Sequence, residues 1–344
     1  RTGLSMAVDA ADGALCELLI AAHADVNEEN DSVAPLDRCL DRPDVPDALA
    51  RWLCLEHGAS MAAWSTLSPA EQCFRAVTTG FTWLVEETLR REGFLDKIAD
   101  VVRSPSKWTL LHEAAVNGDE EVVQFLIRCA PLLIATRDIY NRTALHYAAQ
   151  EGHVALLPFV AGFSGGKRPE AVFLDAADMS GRSPLWAAVR GGHAACSAWF
   201  MECHCDPLLR DHVGTSALWQ AACAPAGLES PQRLLPLLLQ GSLSPRLDSK
   251  VLKSTADDDG LTLMHAAARE NATPAMIWIY KHSDPSAVAD LITARSCRGE
   301  TALRLACLEG QVEAAELLLS WGAGDTASTD DSDLRAWTLS LGHE

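Results

Sequence analysis

The sequence is short of positive charge, aromatic residues and long apolar runs, and each shortage excludes a class of protein. Lys and Arg total 28 against 47 Asp and Glu, giving a formal net charge of −19, which opposes binding to a phosphate backbone. Phe and Tyr number only 8 and 3, so packed helices with small side chains are favoured over a β-sandwich. No run approaches the roughly 18 apolar residues of a membrane helix. We therefore predict no membrane span and no nucleic-acid partner.

Sequence motifs of catalysis and cofactor binding are also missing. There is no G-x-x-x-x-G-K-[ST] phosphate loop, no H-E-x-x-H zinc motif and no G-x-S-x-G nucleophile motif. Cys196, Cys203, His204 and Cys205 form a dense cluster, but no second pair of ligands follows at the spacing of a structural zinc site. We expect no enzyme activity, no metal, no cofactor and no small-molecule substrate.

The cysteines indicate a reducing compartment. There are 11 of them, an odd number, and they are spread along the chain without the regular spacing of a disulfide framework. Reduced thiols are typical of intracellular proteins. We therefore predict a cytoplasmic location.

A short motif recurs along most of the chain. Thr109-Leu-Leu-His-Glu-Ala-Ala and Thr143-Ala-Leu-His-Tyr-Ala-Ala begin 34 residues apart, and each is followed by a glycine three residues after its last alanine. Clear copies also begin at Ser183, Ser216, Thr262 and Thr301. Weaker copies begin at Thr2 and Ala34, and a degenerate copy runs from Glu71 to Gly80, which makes nine candidates.

This motif resembles the ankyrin repeat, whose signature T-P-L-H-x-A recurs about every 33 residues. The resemblance covers nearly the whole chain and implies an all-α repeat solenoid, a stack of about nine helix-turn-helix units with hairpin loops. The steps after Thr143, Ser216 and Thr262 are longer, at 40, 46 and 39 residues. Much of the excess falls in Pro-, Gly- and Ser-rich stretches at 163–169, 224–231 and 241–253, which we interpret as loop insertions.

Three segments are expected from the quality of the repeats. Residues 1–103 hold degenerate N-terminal repeats, and residues 104–324 hold central and C-terminal repeats with loop insertions. Residues 325–344 form an acidic C-terminal cap or tail. Within it, residues 333–341 could form one more helix that covers the last repeat.

Each motif predicts the start of a helix for physical reasons. Its Thr or Ser hydroxyl can cap free backbone N–H groups, and its Leu and Ala fall on one buried face. The glycines that follow suit the left-handed residue that ends a helix; they are Gly118, Gly152, Gly192 and Gly310. Between repeats, the pattern D-x-x-[GN]-x-[ST] predicts a tight hairpin tip.

Histidine and tryptophan share one position of the motif. In ankyrin-like repeats the His ties neighbouring loops by hydrogen bonds, so His112, His146 and His265 are assigned a structural role. Trp replaces His at Trp186 and Trp219. These side chains are either part of the core, which we favour, or a partly exposed aromatic ladder that could anchor a partner.

The resemblance also implies a binding surface, because partners of ankyrin repeats usually contact the hairpin tips and the short inner helices. Carried onto this chain, nine residues would line the middle of such a groove: Tyr140, Arg142, Tyr147, Arg182, Trp186, Arg190, His212, Trp219 and Gln220. The alternative is that these are solvated hairpin residues with no dedicated partner.

The predicted function is that of a protein–protein interaction scaffold or adaptor. Its charge favours a partner with a basic surface. Because Thr2 already lies within a motif, we expect the chain to be a fragment. A second hypothesis therefore makes it the regulatory or substrate-recruiting part of a larger enzyme. A third makes it a structural subunit of a large cytoskeletal or organellar assembly.

Overall fold

The computed structural model describes residues 2–28, 33–40, 47–57, 59, 64, 67–162, 174–223, 231–240 and 257–323. The chain divides into two compact units, residues 1–139 and 140–344, and we describe each by itself. The predicted cap or tail at 325–344 and its helix lie outside the described residues, as do nearly all residues of the three predicted insertions. The three-segment division of the chain stays a prediction.

The first unit consists of helix pairs with short turns between the two helices of most pairs. The pairs are α1 Gly3–Asp9 with α2 Gly13–Ala21, α3 Pro35–Leu40 with α4 Asp47–Leu55, α5 Pro69–Thr78 with α6 Thr82–Arg91, and α7 Leu110–Asn117 with α8 Glu120–Cys129. A two-stranded antiparallel hairpin precedes α7; its strands are β1 Val102–Arg103 and β2 Trp108–Thr109. The degenerate repeats are therefore folded as helix pairs in the same way as the regular one that follows them.

The second unit continues the series. Its first four pairs are α9 Ala144–Glu151 with α10 Leu157–Val160, α11 Pro184–Arg190 with α12 Ala194–Glu202, α13 Ala217–Ala222 with α14 Pro231–Gln240, and α15 Leu263–Arg269 with α16 Thr273–His282. A single helix, α17 Pro285–Thr293, follows, and the last pair is α18 Ala302–Leu308 with α19 Val312–Ser320. Over the described residues the two units hold nine pairs. The predicted all-α ankyrin repeat fold is confirmed.

Packing within the second unit is from one repeat to the next. First helices contact first helices, α9 with α11, α11 with α13, α13 with α15 and α15 with α18. The leucines and alanines of the motif are buried between them, among them Leu185, Ala188, Leu218 and Ala221. Small alanines let the first helices approach closely, which is why the motif keeps them at these positions.

The predicted helix signals are confirmed at both ends of the first helices. The backbone N–H of Thr143 donates to Nδ1 of His146 at 3.2 Å, and the Ser183 hydroxyl accepts from the backbone N–H of Trp186 at 3.3 Å. At the other end, Gly118 and Gly152 have φ of +87° and +84°. These left-handed residues end the helices as glycine allows.

One helix was missed by the sequence analysis. The step from Thr262 to Thr301 is long because it contains α17 Pro285–Thr293, a nine-residue helix. Asp284 stands at its N-cap and Pro285 at its first turn, a start signal that was available in the sequence. Among the described residues, no helix combines the length and the apolar character needed to cross a membrane.

Candidate binding groove

Two neighbouring hairpin tips of the second unit are each held by the aspartate that begins them. The Asp178 carboxylate accepts, through Oδ1, the backbone N–H of Ser180 at 2.7 Å and of Arg182 at 3.0 Å. Asp211 does the same for the next tip, at 3.1 and 2.8 Å. Both aspartates are buried. The tips are thus fixed by charge-assisted hydrogen bonds within their own loops.

The second carboxylate oxygen of each aspartate faces an arginine of the preceding repeat. Arg142 Nε lies 3.4 Å from Asp178 Oδ2, and Arg182 Nε lies 3.4 Å from Asp211 Oδ2. Since Arg142 and Arg182 hold the same position in successive tips, the two pairs form a regular series. Each aspartate therefore orders its own tip and the arginine beside it.

Three predicted aromatic residues are buried beneath arginines. Trp186 and Trp219 are each 6% exposed, and Tyr147 is also buried. Two arginines lie over the Trp186 ring, with the guanidinium carbon 4.2 Å from the ring centroid for Arg182 and 5.4 Å for Arg190. The corresponding distance is 5.7 Å for Arg142 over Tyr147 and 5.6 Å for Arg269 over Trp219. The core interpretation of the two tryptophans is confirmed, and the exposed aromatic ladder is wrong.

The change from His to Trp removes a contact between repeats. His146 Nε2 lies 3.3 Å from the Arg182 carbonyl oxygen, and His265 Nε2 lies 3.1 Å from the Glu300 carbonyl oxygen, which confirms the tie predicted for these histidines. The indole N–H of Trp186 and of Trp219 is buried and has no hydrogen-bond acceptor among the described residues. At these two repeats the position supplies apolar bulk instead of a tie.

An open cavity of about 470 Å³ lies between the repeats that begin at Thr143 and Ser183. Its lining comes from two hairpin tips and two first helices: Arg142, His146, Gln150, Asp178, Arg182, Ser183, Trp186, Ala187, Arg190 and Gly191. The volume lies within the range of protein ligand sites. This cavity is the centre of the candidate groove.

Four of the nine predicted residues meet in this cavity, namely Arg142, Arg182, Trp186 and Arg190. The other five do not line it. Tyr140 and His212 are exposed at hairpin tips, Gln220 is half-buried on α13, and Tyr147 and Trp219 are buried. The nine predicted residues therefore fall into different places: some line a basic cavity, some lie at exposed hairpin tips or on α13, and some are buried beneath the surface.

His146, Gln150 and Asp178 also line the cavity, although they were not among the nine predicted residues. His146 and Gln150 are four residues apart on α9, so they share one face of that helix. That face was predictable from the spacing. What the spacing could not show was that the buried motif His and the hairpin Asp also have an edge on the cavity.

Apolar side chains project from the tips next to this cavity. Tyr140, Met179 and Val213 are 56%, 61% and 60% exposed. They belong to three successive tips, whose backbones are joined by a hydrogen bond from Met179 N–H to the Tyr140 carbonyl oxygen at 2.8 Å and by another from His212 N–H to that of Ser180 at 2.8 Å. The edge of the groove is thus apolar where its centre is basic.

Two members of the cysteine cluster, Cys196 and Cys205, are buried core residues. Burial raises the pKa of the Cys196 thiol to about 11, and burial likewise raises the pKa of Cys205. All eleven cysteines are free thiols. The described residues contain no group of three His, Cys, Asp or Glu side chains arranged to hold a metal ion.

Comparison with known proteins places these observations in a family. The family model for ankyrin repeats matches residues 74–169 and 226–330, which is more than half of the chain. Ankyrin repeat protein nuc-2 of Neurospora crassa is 28% identical over 229 residues, covering 66% of this chain and 19% of that protein. Alpha-latrotoxin-Lg1a of Latrodectus geometricus is 32% identical over 107 residues, covering 31% of this chain and 7% of the toxin. The chain spans about a fifth or less of these curated relatives.

A solved structure shows the same fold. The ankyrin repeat domain of Bcl-3, described as a unique member of the IkappaB protein family, superposes with a TM-score of 0.52 at 19% sequence identity. The match covers 74% of this chain and 99% of that domain. At this identity the likeness concerns the arrangement of repeats and not the side chains of the groove.

Proposed function

Because this chain belongs to the ankyrin repeat family, we propose that it is a scaffold or adaptor that holds a protein partner in the groove of its second unit. Ankyrin repeats are generally protein-interaction modules and typically not enzymes. We extend that general role to this chain, with the site at Tyr140, Arg142, Tyr147, Arg182, Trp186, Arg190, His212, Trp219 and Gln220. In this proposal Tyr147, Trp186 and Trp219 act as the packed floor, and the other six meet the partner.

The observation that carries the proposal is the fixed cavity between two neighbouring repeats. Asp178 ties one of its tips, Asp211 pairs with Arg182, and its arginines lie over buried rings. A surface ordered in this way loses little conformational entropy when a partner binds. The exposed apolar tips add area of the kind that interfaces bury.

The total charge and the thiols extend the proposal to the partner and the compartment. A net charge of −19 attracts partners with an overall basic surface over long distances. Eleven free thiols suit a reducing compartment such as the cytoplasm. The same charge disfavours nucleic acid as the partner.

A second candidate keeps the groove and changes its context. The stretches that match this chain cover only 19% and 7% of the two curated relatives. In this candidate the repeats recruit a substrate or regulator for another domain of a longer protein. Both candidates require a protein to occupy the groove, so the same experiment tests them.

The test is a pulldown from cell lysate at physiological salt with a groove variant that stays folded. Tyr140→Ser with Arg190→Glu changes two exposed groove residues and leaves the buried tryptophans in place. The matched control is Leu132→Ser with Arg233→Glu, which makes the same changes of charge and similar changes of polarity at exposed positions that do not line the cavity.

We expect the native chain and the control to retain the same protein, and the groove variant to lose it. Circular dichroism and thermal melting of all three chains check that the fold is kept. Equal capture by the groove variant and the control would contradict the proposal, because the partner would then bind elsewhere.

A further inference from the structure

We propose that the cavity between the repeats at Thr143 and Ser183 receives an acidic side chain, Asp or Glu, from an extended segment of the protein partner. Apolar residues of the same segment would lie on the tips at Tyr140, Met179 and Val213. This inference rests on the proposed function and names the chemistry of its occupant. The cavity would therefore prefer an anionic side chain, whereas the negative charge of the whole chain favours basic partners.

The charges that line the cavity are the first argument. Three arginines and one aspartate face it, namely Arg142, Arg182, Arg190 and Asp178. Asp178 is paired with Arg142, and Arg182 is paired with Asp211 from outside the lining. Arg190 is exposed and forms no ion pair with any described residue. With both pairs counted as neutral, the cavity keeps one positive charge.

The hydrogen-bonding groups show the same bias toward an anion. Arg182 approaches Asp211 through Nε at 3.4 Å, and its two terminal nitrogens have no hydrogen bond to any described residue. These terminal N–H groups remain available to a ligand, and a carboxylate supplies two acceptor oxygens in the geometry that a guanidinium matches.

The aspartates near the cavity are already engaged. Oδ1 of Asp178 and of Asp211 accepts two backbone N–H groups each, and Oδ2 of each faces an arginine. A lysine or arginine entering the cavity would compete for filled acceptors and meet three guanidinium groups. A basic segment is therefore the less favourable occupant.

The arginines are also held in place before binding. Arg182 lies 4.2 Å and Arg190 lies 5.4 Å from the centroid of the buried Trp186 ring. Stacking on an aromatic face fixes the plane of a guanidinium and lowers the entropy that it loses on pairing. Both arginines lie over the same ring and line the cavity.

The surroundings favour a peptide over a free carboxylate metabolite. The cavity is open, and exposed apolar side chains at three successive tips lie along its edge. A small dicarboxylate would use the arginines and leave these tips uncovered. A peptide segment would use both, with its acidic residue in the cavity and its apolar residues on the tips.

The test measures the fluorescence anisotropy of three labelled ten-residue peptides mixed with the full chain at physiological salt. The peptides alternate leucine with glutamate, with glutamine or with lysine. We expect the glutamate peptide to bind about 10-fold or more tightly than the glutamine peptide, from charge-assisted bonds to the arginines. Arg190→Glu should weaken it about 10-fold, whereas Arg233→Glu, which makes the same charge change on α14, should leave it within about 2-fold.

Three results would overturn the inference. They are equal or tighter binding of the glutamine or lysine peptide, equal effects of Arg190→Glu and Arg233→Glu, and no binding of any peptide up to about 1 mM, the weak end of the specific range. Free glutarate at the same carboxylate concentration should not displace the peptide. Displacement would mark the cavity as a small-dicarboxylate site and would also overturn the inference.

Failure of this inference can be told apart from failure of the proposed function. If the groove variant still loses its protein partner while the glutamate peptide shows no preference, the groove holds a partner of different chemistry. If the groove variant keeps its partner, the proposed function itself fails.

Discussion

At the scale of single residues, the groove is built from pairs of side chains with different tasks. Arginines face the cavity, while the aromatic rings beneath them are buried and carry packing energy. The sequence allowed the arginines and tryptophans to be placed in one groove, because they fall at equivalent positions of the repeat. It could not show that the rings are covered, since Trp is often half-exposed and the covering arginines come from the tips and from the ends of α11 and α15.

Trp186 is therefore predicted to matter for stability more than for direct contact. Trp186→Ala removes a ring that is only 6% exposed. Loss of a buried Trp typically lowers the free energy of unfolding by about 3–5 kcal/mol. Trp278→Ala, at a half-buried ring on α16, should cost less than half as much. Urea unfolding of both variants measures this, and a cost of less than about 1 kcal/mol for Trp186→Ala would contradict the assignment.

His265 is predicted to make stability fall in mild acid. Burial lowers the pKa of its imidazole below the ordinary value of 6.5, and its ring bonds Thr262 and the Glu300 carbonyl oxygen. Below about pH 6.5 His265 binds a proton in the unfolded chain but stays neutral in the folded chain until the pH reaches its lowered pKa. Its contribution to the free energy of unfolding is therefore present in full above about pH 6.5 and is lost as the pH falls through the lowered pKa.

The measurement is the thermal unfolding midpoint from about pH 7.5 to about pH 5, the range in which histidine titrates. His265→Gln should flatten the fall of the midpoint with acid, and His282→Gln, at an exposed position, should leave its slope unchanged. The same slope in all three proteins would show that His265 does not contribute.

At the scale of elements, close approach between neighbouring repeats shapes the cavity. Gly191, at the end of α11, has φ of −69°, so its backbone is open to any residue. A Cβ added there would lie 2.6 Å from the Gln150 carbonyl oxygen and 2.5 Å from the His193 ring. Glycine is required here by space and not by backbone conformation.

Gly191→Ala is therefore predicted to destabilise the chain by about 1–3 kcal/mol, because the backbone of α9 must shift to make room. Gly13→Ala is the matched control, since a Cβ at Gly13 meets no atom within 4 Å. It should be neutral or stabilising by up to about 1 kcal/mol. Chemical denaturation compares the two, and equal stabilities would contradict the close contact between these repeats.

The elements themselves were largely predictable. The Thr or Ser caps, the Leu–Ala faces and the helix-ending glycines are local signals, and they located the first helices of all nine pairs. Helix α17 was missed because it lies outside the repeat pattern. The N-cap Asp284 followed by Pro285 was the local signal in the sequence from which it could have been predicted. The shape of the cavity was not predictable, because it depends on how side chains of two neighbouring repeats are placed relative to each other. A single motif contains no information about that placement.

At the scale of the whole molecule, the charge of the chain and the charge of its cavity have opposite signs. The total of −19 belongs to the solvated surface and acts at long range until salt screens it. The three cavity arginines act at contact distance. The basic partner inferred from composition stays a prediction, and composition alone carries no information about the side chain proposed for the cavity.

The measurement that tests the central claim most directly is site-specific photo-crosslinking from the cavity wall. A benzophenone amino acid replaces Gln150, which is exposed and lines the cavity, or Ala195, which is exposed on α12 and does not. After irradiation in cell lysate, we predict one discrete protein adduct from position 150 and none from position 195. Adducts of equal yield from both positions, or a partner that co-purifies without crosslinking to position 150, would contradict the groove as the binding site.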